Sequence, residues 1–306
     1  MNAREQGFLL LTSELGVPGR KALTTAQLRT LAQRMKRLPR PTQDRQLQEQ
    51  DLLALGYSRE MARRILVLLE DGELLHYYCQ RGKQMECYPI SRVTAGYPNA
   101  LRQKLGWEAP GCLWYKGDLS LLELPAVSLV GSRELHAENQ RFAEEVGRQA
   151  ALQGYALVSG NARGADKAAQ FACLRHGGKV ICVVADSLAQ RTARENVLYL
   201  SEDDFDAPFT AQRAISRNRV IHSLGQMTFV AQSGYETGGT WDGTVKNLRF
   251  GWSPVYVYAD GSPAQCVLAD MGAQPVDFSQ LSNFLTLPAP VADLFTNGGN
   301  THEQSR

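Results

Sequence analysis

Four short stretches carry residues that could hold an anion. Gly131-Ser132-Arg133, then Ser159-Gly160 with Arg163, Gly164 and Asp166, then Gly238-Gly239-Thr240, each place small residues just ahead of a helical segment. Backbone amides at such a start, with a hydroxyl or a guanidinium beside them, suit a phosphate. Each also reads as an ordinary tight turn, the first with an incidental arginine and the last as a helix entry needing glycine conformations. Two such turns one strand apart favour the phosphate reading over either turn alone. Asp166 is expected to brace its own loop by accepting a backbone amide. The fourth stretch is Arg217-Asn218-Arg219. On a helix Arg217 shares a face with Arg213, so Arg217 or Arg219 is expected at the ligand edge and Asn218 as a loop brace.

Patterns for covalent chemistry are missing. The first turn lacks GxGxxG and the second strand ends in Ser159 rather than an acid, which disfavours a nicotinamide dinucleotide. GxxxxGK[ST] and GxSxG are also absent. The five histidines lack metal-ligand spacing, and Asp166, Glu202 and Asp242 form no evident acid–base pair. No catalytic residue, metal or cofactor is expected. The net charge of +2 excludes a strongly basic coat, so anion binding must come from local arginines. Six scattered cysteines without CxxC read as reduced thiols, and no run reaches membrane-spanning length, which implies a cytoplasmic protein.

The elements that must position these groups read as follows. Residues 1–80 form a small helical domain, SAM-like or of helical-hairpin type, with a capping box at Thr24 and Gln27, a glycine turn at Gly56 and a cap at Ser58. Arg59, Arg63 and Arg64 read as a solvated face. Residues 81–125 are a connector with a strand at 113–116. Residues 126–262 alternate strands and helices, opening with a βαβ unit whose strands end in the first two turns. One helix is expected over 209–224, and the strand at 254–258 is expected to close the sheet. Residues 263–306 are an extension ending in a disordered tail. The fold class is α/β, a Rossmann-like, doubly wound, mostly parallel sheet, whose ligands gather at the carboxyl ends of the strands.

At these residues the sequence resembles the DNA-processing protein A family, DprA or Smf. The likeness rests on Tyr97-Pro98 with Leu101, Leu113-Trp114-Tyr115-Lys116-Gly117, VSLVGSR ending at Arg133, LVSGNARGAD ending at Asp166, Gly177-Gly178, Leu200-Ser201-Glu202 and Arg217-Asn218-Arg219. It runs over about residues 95–258. The resemblance implies a homodimer that binds single-stranded DNA, protects it and loads a RecA-type recombinase in uptake and recombination. By position it implies phosphate or DNA contact at Gly131, Ser132, Arg133, Ser159, Gly160, Arg163, Gly164, Arg217 and Arg219. Departures are Ala165 in place of a larger aliphatic residue, and Ala231-Gln232 with Thr237-Gly238-Gly239-Thr240-Trp241 in place of an acidic strand end and a Ser-Gly-Ser turn. The related Lonely-guy phosphoribohydrolases supply the alternative, a nucleotide-binding sensor or hydrolase using the same turns. Gly238-Gly239-Thr240-Trp241-Asp242 lacks their second spacing and their Glu, and Trp241 reads either as a core residue or as a base-stacking one.

Overall fold

The computed structural model describes residues 1–37 and 46–289. The chain opens with α1 (Ala3–Thr12), capped reciprocally by Asn2 and Glu5 at 2.9 Å each. In α2 (Thr25–Met35) the expected capping box is present: Gln27 N donates to Thr24 Oγ1 at 3.3 Å, and Thr24 N donates to Gln27 Oε1 at 3.1 Å. Next come α3 (Glu49–Ala54) and α4 (Arg59–Glu70), divided by Gly56 at φ +81° and by Ser58, whose hydroxyl accepts from Met61 N at 3.2 Å. The apolar faces of these helices bury Leu11, Leu28, Leu52 and Ile65 in one core. Arg64 donates to the carbonyls of Lys21 and Ala22, and Arg63 lies 3.5 Å from Glu49, so local partners occupy both. After α5 (Gly72–Gln84) the chain enters sheet structure.

The remaining elements are β1 (Tyr88–Ser91), α6 (Asn99–Leu105), β2 (Cys112–Lys116), β3 (Ala126–Val130), α7 (Ala137–Leu152), β4 (Ala156–Ser159), α8 (Ala165–Arg175) and β5 (Lys179–Val183). They continue with β6 (Val197–Ser201), α9 (Ala211–Ser216), α10 (Asn218–Leu224), β7 (Thr228–Val230), α11 (Gly238–Phe250), β8 (Val255–Tyr258), α12 (Pro263–Asp270) and β9 (Gln274–Val276). The nine strands form a mixed, mostly parallel sheet, as the alternation predicts. Two expectations need correction. The helix expected over 209–224 is two helices that break at Arg217. Nor does β8 close the sheet, because β9 pairs parallel to it. The tail expected to be disordered lies outside the described residues.

Contacts group the chain into two compact units, the first Met1–Glu123 with Ile181–Val220 and the second Leu124–Val180 with Ile221–Arg306. In the first unit β2 pairs antiparallel with both β1 and β6. The loop after β6 ties this sheet edge to the helices: Gly16 N donates to Asp204 Oδ2 at 3.1 Å, the Tyr78 hydroxyl donates to Asp206 at 2.5 Å, and Arg81 pairs with Asp206. Tyr78, Trp114 and Phe205 pack together, with centroids 4.6 to 5.4 Å apart. Burial, reinforced by Glu202, pushes the Asp203 carboxyl up to about 6.

In the second unit β4, β3, β7, β8 and β9 lie side by side and parallel. Every residue of β3 and β4 is buried, which accounts for their continuous apolar runs. His222 is fully buried beside Asn247, whose side-chain amide lies 3.0 Å from its Nδ1, and burial lowers its pKa to about 3. The ring is therefore a neutral packing and hydrogen-bonding group. Four of the six cysteines are buried and all six are free thiols. Among the described residues no helix is long and apolar enough to cross a membrane.

Candidate functional site

The turns after β3, β4 and β7 all belong to the second unit, and the strands they follow are neighbours. In a parallel sheet these turns share the carboxyl edge, where the helices that follow begin. α7, α8 and α11 start there, so three helix N-termini present backbone N–H groups and the positive end of their dipoles along one edge.

Backbone contact joins the first two turns. Ala165 N donates to Ser132 O at 3.2 Å. Gly164 has φ +83°, and a Cβ on it would sit 2.4 Å from Ser132 O and 2.5 Å from Arg133 O. Only glycine lets the chain pass there. Gly131 answers from the other side, since a Cβ on it would meet that of Ala165 at 2.4 Å. Ala165, where the family resemblance leads one to expect a larger aliphatic residue, therefore fills a position with little room.

Arg133 and Arg163 are both exposed at these joined turns. Arg163 donates to Glu134 at 2.9 Å, an ion pair whose side chains are 73% and 88% exposed and so is easily exchanged for another anion. Arg133 has no carboxylate partner among the described residues. The polar groups beneath are committed to holding the loops. Asp166 accepts Ala162 N at 2.9 Å, the loop brace expected of it, and the buried Ser159 hydroxyl accepts from Gln170 at 2.5 Å. Gly160 is buried as well, so on this edge it serves the turn's backbone path.

Gln232 is a residue the sequence reading passed over as a departure. Its backbone carbonyl accepts from Ser132 N at 3.0 Å, its Oε1 accepts from His136 N at 2.9 Å, and its Nε2 donates to Glu134 O at 3.3 Å. It therefore fastens the first turn to the end of β7. The available signal was its place immediately after the strand, at the same edge as the other turns. Beyond it, Gly238 at φ +85°, Gly239 and Thr240 open α11, while Tyr235, 49% exposed, lies edge-on to the half-buried Trp241 at 5.5 Å. Trp241 is thus neither a core residue nor fully free. Asp242 is held by Lys246 at 2.8 Å.

Arg217, Asn218 and Arg219 lie in the first unit, around the break between α9 and α10. Arg217 is 7% exposed and its guanidinium donates to Val183 O, which makes it an internal brace rather than the ligand-edge group that a continuous helix would present. Arg219 is paired with Glu202 at 2.7 Å and donates to Ser216 O and Oγ at 2.8 and 2.7 Å. The Glu202 side chain is 7% exposed. Removing its counter-charge would leave a buried carboxylate uncompensated, so Arg219→Ala is expected to cost about 2 kcal/mol of stability. Chemical denaturation checks this, and a midpoint equal to that of the unaltered chain would contradict it.

Among the described residues no group of three or more His, Cys, Asp or Glu side chains is placed to hold a metal ion. The arrangement offers backbone amides and guanidinium groups to an anion.

The sequence pattern of the family described as DNA recombination-mediator protein A matches residues 89–244, a stretch that contains all of the turns above. The chain is 33% identical to the DNA processing protein DprA of Streptococcus pneumoniae over 146 residues, 43% of this chain and 50% of that protein. It is 26% identical to the protein Smf of Borreliella burgdorferi over 203 residues, 60% and 61% of the two chains. The match thus spans roughly half to three fifths of these relatives' length. Among solved structures, DNA processing protein A of S. pneumoniae superposes with a TM-score of 0.70 at 24% identity, covering 89% of this chain and 94% of that one. The Helicobacter pylori protein, whose structure is described for its mode of binding single-stranded DNA, superposes at 0.55 and 22% identity over 65% of this chain and 95% of its own. Both likenesses establish the fold.

Proposed function

The chain belongs to the DNA recombination-mediator protein A family, and on that premise we propose that it binds single-stranded DNA along the turns that follow β3, β4 and β7. One observation carries the reading: the turns bearing the exposed Arg133 and Arg163 are fused backbone to backbone through Gly164, which fixes the backbone that carries both arginines just ahead of α7 and α8. Phosphates of a strand laid along this edge would accept from the amides of Arg133 and Glu134 and of Arg163 and Gly164, and from both arginines. Ser159, Asp166 and Gln232 keep the turns in place, and Gly238 to Thr240 with Tyr235 and Trp241 extend the edge toward a base. The protein binds the strand and leaves its bonds unchanged.

Neutralising several phosphates releases counterions, so the affinity for an oligothymidylate should fall by a factor of 10 or more between about 50 and 200 mM salt. Fluorescence anisotropy with a labelled oligonucleotide measures this, with a mononucleotide as competitor. Salt-insensitive binding, or complete displacement by the mononucleotide at equal phosphate concentration, would replace this reading with a small-nucleotide pocket. The family description, a recombination mediator, supports a further step in which a homodimer passes the bound strand to a RecA-type recombinase. A strand-exchange assay with and without the protein tests that step, and equal rates would remove it.

A further inference from the structure

A second concentration of positive charge lies in the first unit, remote in sequence from every turn described above. A cleft of about 600 Å³ is bordered by Arg4, Lys36, Arg92 and Arg102, with Phe8 and Trp107 in its wall, and among the described residues no Asp or Glu lines it. Neutral acceptors hold two of the four cations. Arg92 donates to Gly106 O at 2.6 Å and Trp107 O at 3.3 Å, and Arg102 donates to Arg92 O at 3.0 Å, Thr94 O at 2.5 Å and Asn99 Oδ1 at 2.8 Å. Carbonyl oxygens fix the geometry of a guanidinium without cancelling its charge. The neighbouring carboxylate, Glu108, is engaged by Arg29 at 2.8 Å. Burial, with Arg102 adding to it, pulls the Arg92 pKa below the usual arginine range against the opposing effects of Tyr97 and Glu108. Two like charges held together in a partly buried cleft gain by admitting an anion.

The aromatic wall narrows the choice of anion. Trp107 is 37% exposed, with Arg92 Cζ 5.3 Å and Lys36 Nζ 5.5 Å from the ring centroid. A ring that already gathers cations offers a stacking surface beside a phosphate-attracting cluster, the pairing that recognises a nucleotide. Inorganic anions would use only half of the cleft.

We propose that this cleft binds a nucleotide, its phosphate among Arg4, Lys36, Arg92 and Arg102 and its base against Trp107. The ligand is either a free nucleotide or the phosphorylated end of a DNA strand, which present the same chemistry.

The test uses the full chain carrying Arg133→Gln and Arg163→Gln, so that loss of the turn site cannot be confused with loss of this one. Thymidine 5′-monophosphate and a 5′-phosphorylated oligothymidylate are titrated while tryptophan fluorescence is followed, and again after adding Arg4→Glu and Lys36→Glu. Both of these residues are exposed, so circular dichroism should be unchanged. The expected result is saturable quenching by at least one probe, weakened tenfold or more by the two Glu substitutions and lost in Trp107→Phe. Saturation by the mononucleotide assigns a free nucleotide, and saturation by the oligonucleotide alone assigns a strand end. If neither probe binds, or if the Glu substitutions leave the affinity unchanged, the proposal is overturned whatever the turn site does.

Discussion

Replacing Arg133 and Arg163 together with glutamine is expected to weaken oligothymidylate binding about 100-fold and to flatten its salt dependence. A hydrogen bond to a charged group contributes about 1.5–3 kcal/mol. Both side chains are exposed and Arg163 must first leave Glu134, so the low end applies, roughly tenfold in affinity for each residue. The slope is the sharper observable. Each phosphate neutralised on a single strand contributes about 0.7 to the dependence of log K on log salt, so losing two contacts should lower the slope by about 1.4. Glu134→Gln should act in the opposite sense, freeing Arg163 and tightening binding a few-fold. Anisotropy titrations at four salt concentrations give all of these quantities. If the double variant binds within twofold of the unaltered chain, the strand does not lie on these turns; lost affinity with an unchanged slope would mean that the two arginines neutralise no phosphate.

How far the sequence revealed this site depended on how local each determinant is. The strands of the second unit are legible because both of their faces are buried, and the turns because glycine is required where the backbone passes within contact of itself, as at Gly164. The Thr24 box and the Ser58 cap are likewise four-residue events. What escaped is non-local. An unbroken periodicity predicts one helix over 209–224, but the Arg217 guanidinium turns inward to Val183 O, more than thirty positions earlier, and the helix breaks there. Arg219 looks free in sequence and is neutralised by Glu202, which lies on the loop after another strand. β9 has three residues, one of them Pro275, which cannot donate to a ladder and is tolerated at a sheet edge. Its composition therefore argues against a strand, and only the pairing with β8 makes it one.

The spacing of the two arginine turns is set far from them, at Gly147, and its substitution should have a large effect. A Cβ at this position of α7 would fall 2.1 Å from Ala169 O and 2.9 Å from Ala169 Cα of α8, so the two helix backbones touch here. Glycine inside a helix costs about 1 kcal/mol relative to alanine, which Gly147→Ala would recover. Overpacking costs about 1–3 kcal/mol and more where backbone is struck, because no rotamer can yield. The clash should win, leaving Gly147→Ala less stable by about 2 kcal/mol and Gly147→Leu unable to fold. Gly154→Ala supplies the comparison: nothing lies within 4 Å of its Cβ position, so its φ of +76° alone is penalised, by about 1 kcal/mol. Because α7 begins just after the Arg133 turn and α8 just after Gly164, separating the helices must also pull Gly164 from the carbonyls of Ser132 and Arg133. Gly147→Ala should therefore lose oligonucleotide affinity at temperatures where circular dichroism still reports a folded chain, whereas Gly154→Ala should keep it. Equal stability of Gly147→Ala and the unaltered chain would show that the helices part without cost, and that the turns owe their spacing to Gly164 and Gln232 alone.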